Sequence, residues 1–271
     1  MSFTPDQSMK IDADGWDVIA KQYAEWVEGN IGVQGRAFTT IVRDNVLATL
    51  GDVQGKDLLD LGCGEGYLAR EMIHRGAHVW GIDAAPTMIE IAKSKDPLGS
   101  IKYIVGDITK DLPYENDNFD LVVCNMVLMD LEDIAFTVKE VARVLKPRGR
   151  FIFSVVHPCF FDALGDWTDI GSPHPALHFK ERYTEQVRYL KRLVGLPSEG
   201  KVAHYNRPIQ DYVRPLIKNS LCISDFIETS FSREYLEAIG FFEEFLRYHL
   251  TANNLIIGAA KLPVHYLDLP R

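Results

Sequence analysis

The sequence predicts an α/β fold: a doubly wound, mostly parallel seven-stranded sheet with a helical or irregular insertion after the fifth strand. Three observations carry this reading. Short apolar runs alternate with helix-period segments from Asp57 to Val156, a glycine-rich turn follows the first run, and strand and helix signals resume after an aperiodic stretch over 158–208. Parallel neighbours need crossover connections, and the alternation supplies them.

The elements follow in order. Asp57–Leu61 (DLLDL) is a short apolar strand, and Tyr67–Arg75 beyond the glycine turn reads as a helix. His78–Ile82 is the second strand, followed by a helix over Pro86–Lys95 whose proline suits a first helical turn. Lys102–Val105 and Phe119–Cys124 are the third and fourth strands. Glu132–Leu145 places Ile134, Val138, Val141 and Leu145 at helical spacing, and Lys146-Pro-Arg-Gly149 turns the chain into a fifth strand, Arg150–Val156. Beyond the insertion, Ile209–Asn219 and Ser232–His249 look helical, and Leu221–Glu228 and Leu255–Lys261 strand-like. The chain is expected to form one domain: a helical N-terminal cap (1–50), a ligand-binding core (51–157), a lid-like insertion (158–208) and a C-terminal segment completing the sheet (209–271). A long stretch between core elements more often serves binding than passive connection. Within it, Arg182–Val194 reads as a short helix.

Composition narrows the function. The 271 residues are 46% hydrophobic and 25% charged, as expected of a chain that buries a core. Lys plus Arg number 29 against 38 Asp plus Glu, so a nucleic-acid polyanion would meet a repulsive field. The nearest basic stripe, Lys146 to Arg150, spans one loop. Cys63, Cys124, Cys159 and Cys222 form no C-x-x-C pair and are too sparse for a disulfide framework, which suits a reducing compartment. With no apolar run of membrane-spanning length and a polar, acidic beginning, the chain reads as cytoplasmic.

The chemistry gathers at the predicted strand ends. Asp60-Leu-Gly62-Cys-Gly64-Glu65-Gly66 leaves the first strand and enters a helix, so a ligand can lie against bare backbone beside unpaired N–H groups. Its third glycine falls one place early for the G-x-G-x-x-G dinucleotide fingerprint. Asp83 ends the second strand, where a carboxylate can accept both hydroxyls of a ribose. Asp107 follows the third, where one can accept from an exocyclic amine, and Asn125 follows the fourth. Ligands of open α/β sheets bind along this edge. Asp83 and Asp107 also suit helix N-caps.

Residues Asp57 to Val156 resemble the class I S-adenosylmethionine-dependent methyltransferases, in particular the type 11, ubiquinone-biosynthesis-like small-molecule group. The resemblance is carried by DLLDLGCGEGYLAR, GIDAAPTMIEIAK, VGDITKDLPYENDNFDLVVCNMVLMDLED and EVARVLKPRGRFIFSV. It implies a Rossmann-like methyltransferase fold and S-adenosylmethionine as cofactor, with S-adenosylhomocysteine as product. It also implies that Asp60, Gly62 and Gly64 line the methionine part, that Asp83 with Ala84 holds the ribose, and that Asp107 and Ile108 meet the adenine. Asn125 and Met126 would sit near the methionine amino group. Trp16-Asp17-x-x-Ala20-x-x-Tyr23 resembles the family's leading helix, whose tyrosine closes over the cofactor. The chain departs from the pattern at Met129-Asp130, where relatives often carry histidine.

On the acceptor side, His157 at the end of the fifth strand is a candidate catalytic base, or only a strand terminator before Pro158. Asp130, Tyr205 and Arg207 are candidate substrate contacts, and the His204-Tyr205-x-Arg207-Pro208 segment can equally be a structural hydrogen-bond cluster. Phe160, Phe161, Trp167, His174, His178 and Phe179 suit a partly apolar small-molecule acceptor or a small local core. His174 and His178 do not read as metal ligands, because Pro175 breaks the helix that would align them. Two other functions stay open. A nicotinamide-dependent oxidoreductase is disfavoured by the glycine spacing and by the absence of any Tyr-x-x-x-Lys. The second is a non-catalytic S-adenosylmethionine-binding module.

Overall fold

The computed structural model describes residues 13–29, 33–160, 165–168, 176–191, 202–238, 240 and 249–263. Two helices, α1 (Ala13–Glu28) and α2 (Val33–Leu50), lead into the alternating core β1 (Asp57–Leu61), α3 (Tyr67–His74), β2 (His78–Asp83), α4 (Pro86–Ser94), β3 (Lys102–Val105), β4 (Phe119–Asn125), α5 (Ala135–Val144) and β5 (Leu145–Val156). The insertion contributes β6 (Gly165–Thr168), β7 (Ala176–Phe179), β8 (Val187–Lys191) and β9 (Val202–Asn206). The chain then adds α6 (Ile209–Lys218), β10 (Leu221–Thr229), α7 (Arg233–Ala238) and β11 (Asn254–Lys261).

Seven strands form one sheet in the order β10-β11-β5-β4-β1-β2-β3, with β11 antiparallel to both its neighbours. Strand order reverses between β1 and β4, so a crevice opens beyond their carboxyl ends. Alternate residues of β1 face opposite layers. Leu59 and Leu61 pack among Ile82, Val122, Phe153 and Leu255, whereas Leu58 joins Val46, Met72, Val79 and Ile256. Burial on both faces explains why the strands read as continuous apolar runs.

The opposite end of the sheet is tied by charge. Lys146 Nζ bridges Asp57 and Asp120 at 2.9 Å each, holding the Asp57 carboxyl below the usual carboxylate range, and Arg150 pairs with Asp225 at 2.9 Å. The basic run seen in the sequence is thus largely spent on internal ion pairs.

Three elements differ from expectation. The helix over Arg182–Val194 is not formed in its described part: Val187–Lys191 is strand β8, paired antiparallel with β9. The described insertion consists of two small hairpins, β6–β7 and β8–β9, rather than helix. β-branched and aromatic residues at alternate positions, Val187 and Tyr189, favour the extended form once a partner strand is present. The fifth strand starts early, at Leu145, because Lys146–Gly149 bulges between the pairs Phe119–Leu145 and Leu121–Arg150, with Arg148 at φ 68°. The helix expected from Glu132 starts only at Ala135. Of the helix expected over Ser232–His249, residue 239 and residues 241–248 lie outside the described residues, as do Phe161, His174 and the side chain of Trp167. No helix among the described residues is long and apolar enough to cross a membrane.

Candidate active site

The glycine turn is shaped by contacts that side chains would forbid. Gly62 has φ 76°, and a Cβ there would lie 2.6 Å from Val127 Cγ2, so β1 and the segment after β4 approach by bare backbone. Gly64 has φ 53° and nothing within 4 Å of where its Cβ would be, which leaves open space against the backbone. The amides of Gly62 and Cys63 both donate to the Ile82 carbonyl, fastening the turn to β2. Helix α3 then starts at Tyr67 without a side-chain cap. Its first-turn N–H groups need another acceptor, and Asp60 takes the one from Ala69.

Asp60 is buried at 2% exposure, and its Oδ2 has no hydrogen-bond partner among the described residues. Desolvation, the neighbouring Asp83 charge and, less strongly, Glu65 push its carboxyl up to about 7 against the pull of the Ala69 amide. A buried acid with an orphaned oxygen is a place where a cationic ligand group would be stabilised. Asp83 accepts from Gly64 N at 2.8 Å with one oxygen and from Ala85 N at 2.9 Å with the other. Burial nevertheless raises it, opposed by these amides and that of Ala84. Asp107 stands exposed after β3, its Oδ1 accepting from the Thr109 amide and hydroxyl at 2.9 and 2.7 Å, while Ile108 beside it is buried.

Register aligns these groups. Asp60 lies opposite Gly81 of β2 and Val123 of β4, Asp83 opposite Val105 of β3, and Asn125 opposite Ser154 of β5. Ser154 Oγ donates to Asn125 Oδ1 at 2.6 Å and accepts from Met126 N at 3.0 Å, fixing the amide; Asn125 Nδ2 donates to the Tyr67 hydroxyl. Met126 takes φ 60°, an uncommon backbone for a non-glycine residue that turns the chain sharply at the crevice.

Helix α1 closes one side. Tyr23 packs edge-on to Trp16, with ring centroids 5.2 Å apart, and Ala20 meets Ala85 and Met88 of the α4 start. Asp17 Oδ1 accepts the Thr87 amide at 2.7 Å, supplying a helix cap from 70 residues away. Lys95 Nζ binds Glu28 of α1 and Glu65 of the glycine turn at 2.7 Å each, and Arg70 binds the same Glu65 oxygen at 2.9 Å. The tyrosine's phenol is raised by burial and by the charges of Glu65, Asp130 and Asp83, which places it among the acidic groups of the crevice. Sequence reasoning gave no role to Glu65, Tyr67, Lys95 or Ser154. Glu65 stood inside the glycine motif and could have been singled out; the other three depend on distant partners.

The acceptor-side candidates divide. Asp130, on a 3-10 turn (Leu128–Asp130), has Oδ1 3.4 Å from His204 Nδ1. Tyr205 and Arg207 are buried. Arg188 Nε donates to the Tyr205 hydroxyl at 3.3 Å, and Arg207 donates to the Leu131 carbonyl while facing the Tyr205 and Tyr212 rings. Arg207 thus ties the end of β9 to the turn carrying Asp130, and Tyr205 ties β9 to β8. His157 is 1% exposed; Nε2 lies 2.6 Å from Glu228 Oε1, Nδ1 accepts from Cys159 N at 3.2 Å, and burial depresses its pKa against the pull of Glu228. Both imidazole nitrogens are therefore held by the protein itself.

A parallel sheet reversing beside a glycine turn, with carboxylates and an amide at adjacent strand ends, is the arrangement that the sequence resemblance implied. Residues 59–153 match a family model described as a methyltransferase domain, of type 11. A malonyl-[acyl-carrier protein] O-methyltransferase of Halorhodospira halophila is 30% identical over 156 residues, 55% of this chain and 52% of its own length. A ubiquinone biosynthesis O-methyltransferase of Alkalilimnicola ehrlichii is 35% identical over 116 residues, 42% of this chain and 47% of its own. The chain thus spans about half the length of the curated relatives it matches. An S-adenosylmethionine-dependent methyltransferase from Mesorhizobium loti, solved by crystallography, superposes with a TM-score of 0.68 at 26% identity, covering 84% of this chain and 100% of that one.

Proposed function

We propose that the protein transfers the methyl group of S-adenosylmethionine to a small-molecule acceptor. The observation that carries the reading is the buried Asp60 oxygen without a hydrogen-bond partner among the described residues, set beside the open backbone at Gly64 and the carboxylate of Asp83. These groups fit a ligand with a cationic end and a ribose. Asp60, Gly62 and Gly64 would hold the methionine part, Asp83 with Ala84 the ribose hydroxyls, Asp107 and Ile108 the adenine, and Asn125 with Met126 the amino group. Tyr23 would close over them from α1. When bound, S-adenosylmethionine supplies a methyl group already activated by its positive sulfur, so alignment provides much of the rate. The protein's share is to orient the two reactants and exclude water. With both ring nitrogens engaged, His157 is better suited to bracing the ends of β5 and β10 than to taking a proton. The names of the Halorhodospira and Alkalilimnicola relatives support an O-methyl acceptor, and the four free thiols support a reducing compartment such as the cytoplasm.

Calorimetric titration with S-adenosylmethionine, S-adenosylhomocysteine and NAD in parallel tests the cofactor. Micromolar binding of the sulfur ligands is expected, weakened at least about tenfold in Asp83→Ala, as loss of one charge-assisted hydrogen bond of roughly 1.5–3 kcal/mol requires. Binding of NAD with silence from both sulfur ligands would replace this reading with the oxidoreductase. Binding without turnover on any acceptor in a metabolite extract would favour a non-catalytic module.

A further inference from the structure

The chain between β3 and β4 forms neither helix nor strand, yet it carries Asp107 and Ile108, the residues assigned to the adenine. Helix α5 holds it. Thr137 Oγ1 donates to the Ile108 carbonyl at 3.1 Å, Glu140 Oε2 accepts from the Leu112 amide at 2.9 Å, and Arg143 donates to the Leu112 and Tyr114 carbonyls at 2.9 and 2.7 Å. Spaced three apart, these side chains run down one side of the helix. Thr137 and Glu140 are buried on a helix whose other buried residues, Val138, Val141, Ala142 and Val144, are apolar. A hydroxyl in such a place costs stability unless it is paired, and its usual partner is the carbonyl one turn back in the same helix. Thr137 instead reaches a loop 29 residues away in sequence. At the start of that loop the Gly106 amide donates to the Asp83 carbonyl at 2.9 Å, joining the segment to the residue assigned to the ribose. Asp107 Oδ1 is taken by the Thr109 amide and hydroxyl, at 2.9 and 2.7 Å, which leaves Oδ2 to accept from a ligand.

We propose that Thr137 and Thr109 are positioning residues that set the base selectivity of the cofactor site. This rests on the cofactor reading above. Thr137 fixes the main chain at Ile108, Thr109 fixes the carboxylate of Asp107, and together they hold Oδ2 where a 6-amino group donates. A 6-oxo base presents an oxygen to the same carboxylate, two acceptors with no proton between them. Such a base carries a proton on N1 instead. A carboxylate free to move could turn to that N–H; a fixed one cannot, so preorganisation turns a carboxylate into a reader of the 6-position. Valine would fill the space of Thr137 among its apolar neighbours, so packing does not call for the hydroxyl; the Ile108 carbonyl does. The Glu140–Arg143 pair, in which Arg143 holds the Glu140 carboxyl below the usual carboxylate range, anchors the far end of the segment. Thr137 makes the α5 contact nearest in sequence to Asp107.

The test is calorimetric titration of the full chain with S-adenosylhomocysteine and S-inosylhomocysteine, which differ in carrying a 6-amino or a 6-oxo base. Wild type should prefer the adenosyl ligand by at least about tenfold, as loss of one hydrogen bond to a charged group requires. Thr137→Val should weaken S-adenosylhomocysteine by about 3–30-fold and bring the preference below about threefold, and Thr137→Ser, which keeps the hydroxyl, should restore both. Thr109→Val, at a half-buried position that keeps its amide, should lower the preference with little change in the urea midpoint. It decides the matter should Thr137→Val fail to fold, since a preference unchanged in Thr109→Val overturns the proposal. An equal loss for both ligands in folded Thr137→Val, which a merely structural role would give, overturns it, as does a preference within about twofold of wild type. Wild type that binds the two ligands alike overturns the proposal and leaves the cofactor reading standing. Wild type that binds neither refutes the cofactor reading, and the proposal falls with it.

Discussion

Replacing Asp60 by asparagine should make the ligand-free protein more stable at pH 8 than the wild type. Asp60 has its carboxyl pushed up to about 7 in the folded protein, from an ordinary 3.8. Between those values the folded state holds a proton that the unfolded chain has released. Stability therefore falls as pH rises from about 4, and above about 7 the loss levels off. At 1.36 kcal/mol per pH unit the interval corresponds to on the order of 4 kcal/mol. The amide keeps an oxygen for the Ala69 N–H and carries no charge, so Asp60→Asn lacks this slope. The assay is urea denaturation of ligand-free wild type and variant at pH 5, 6, 7 and 8. The stability difference should grow toward the variant by about 2–3 kcal/mol between pH 5 and 7 and then level off. The same substitution should weaken S-adenosylmethionine more than S-adenosylhomocysteine, since only the former carries the sulfonium charge. A stability difference flat in pH would refute the claim that an unpaired, buried charge sits at the end of β1.

Other outcomes follow from the same geometry. Gly62→Ala combines a left-handed backbone, worth roughly 1–2 kcal/mol, with a 2.6 Å approach to Val127, so it should cost more stability than Gly64→Ala, and Val127→Ala should partly rescue it in a double-mutant cycle measured by thermal unfolding. Gly64→Ala, facing open space, should instead show its larger effect in calorimetry of the cofactor. His157 has its pKa depressed, so its contribution to stability is present above about 6.5 and lost as pH falls through the folded value; His157→Gln should flatten the acid limb of the stability profile between pH 7 and 5, and an unaltered limb would exclude His157 as its source.

How much of this could be read in the sequence depends on how far apart the partners lie. Asp60, Gly62, Asp83, Asp107 and Asn125 each follow an apolar run directly, so local pattern alone assigns them to strand ends, and a parallel sheet brings strand ends together. What escaped was set by pairing at a distance. Val187–Lys191 has no local reason to be extended until Val202–Asn206 lies beside it, and a helical period is an equally good local solution. Ser154 gains its role from a register opposite Asn125 that no spacing reveals.

The two histidines show the same limit with a sharper consequence for function. His157 reads as a candidate base because it ends a core strand on the ligand side, a judgement local sequence permits. Its ring is instead satisfied by Glu228, 71 residues on, and by the Cys159 amide. His204 lay in a segment that local sequence could equally assign to structural hydrogen bonding. Yet the insertion folds back as a hairpin and sets that ring against Asp130 on the turn after β4. The β8–β9 pair therefore packs on the turn after β4, at the edge of the sheet where the residues assigned to the cofactor gather. The prediction is direct: exchanging the β8–β9 segment should alter which acceptors are methylated while leaving cofactor affinity within a few fold.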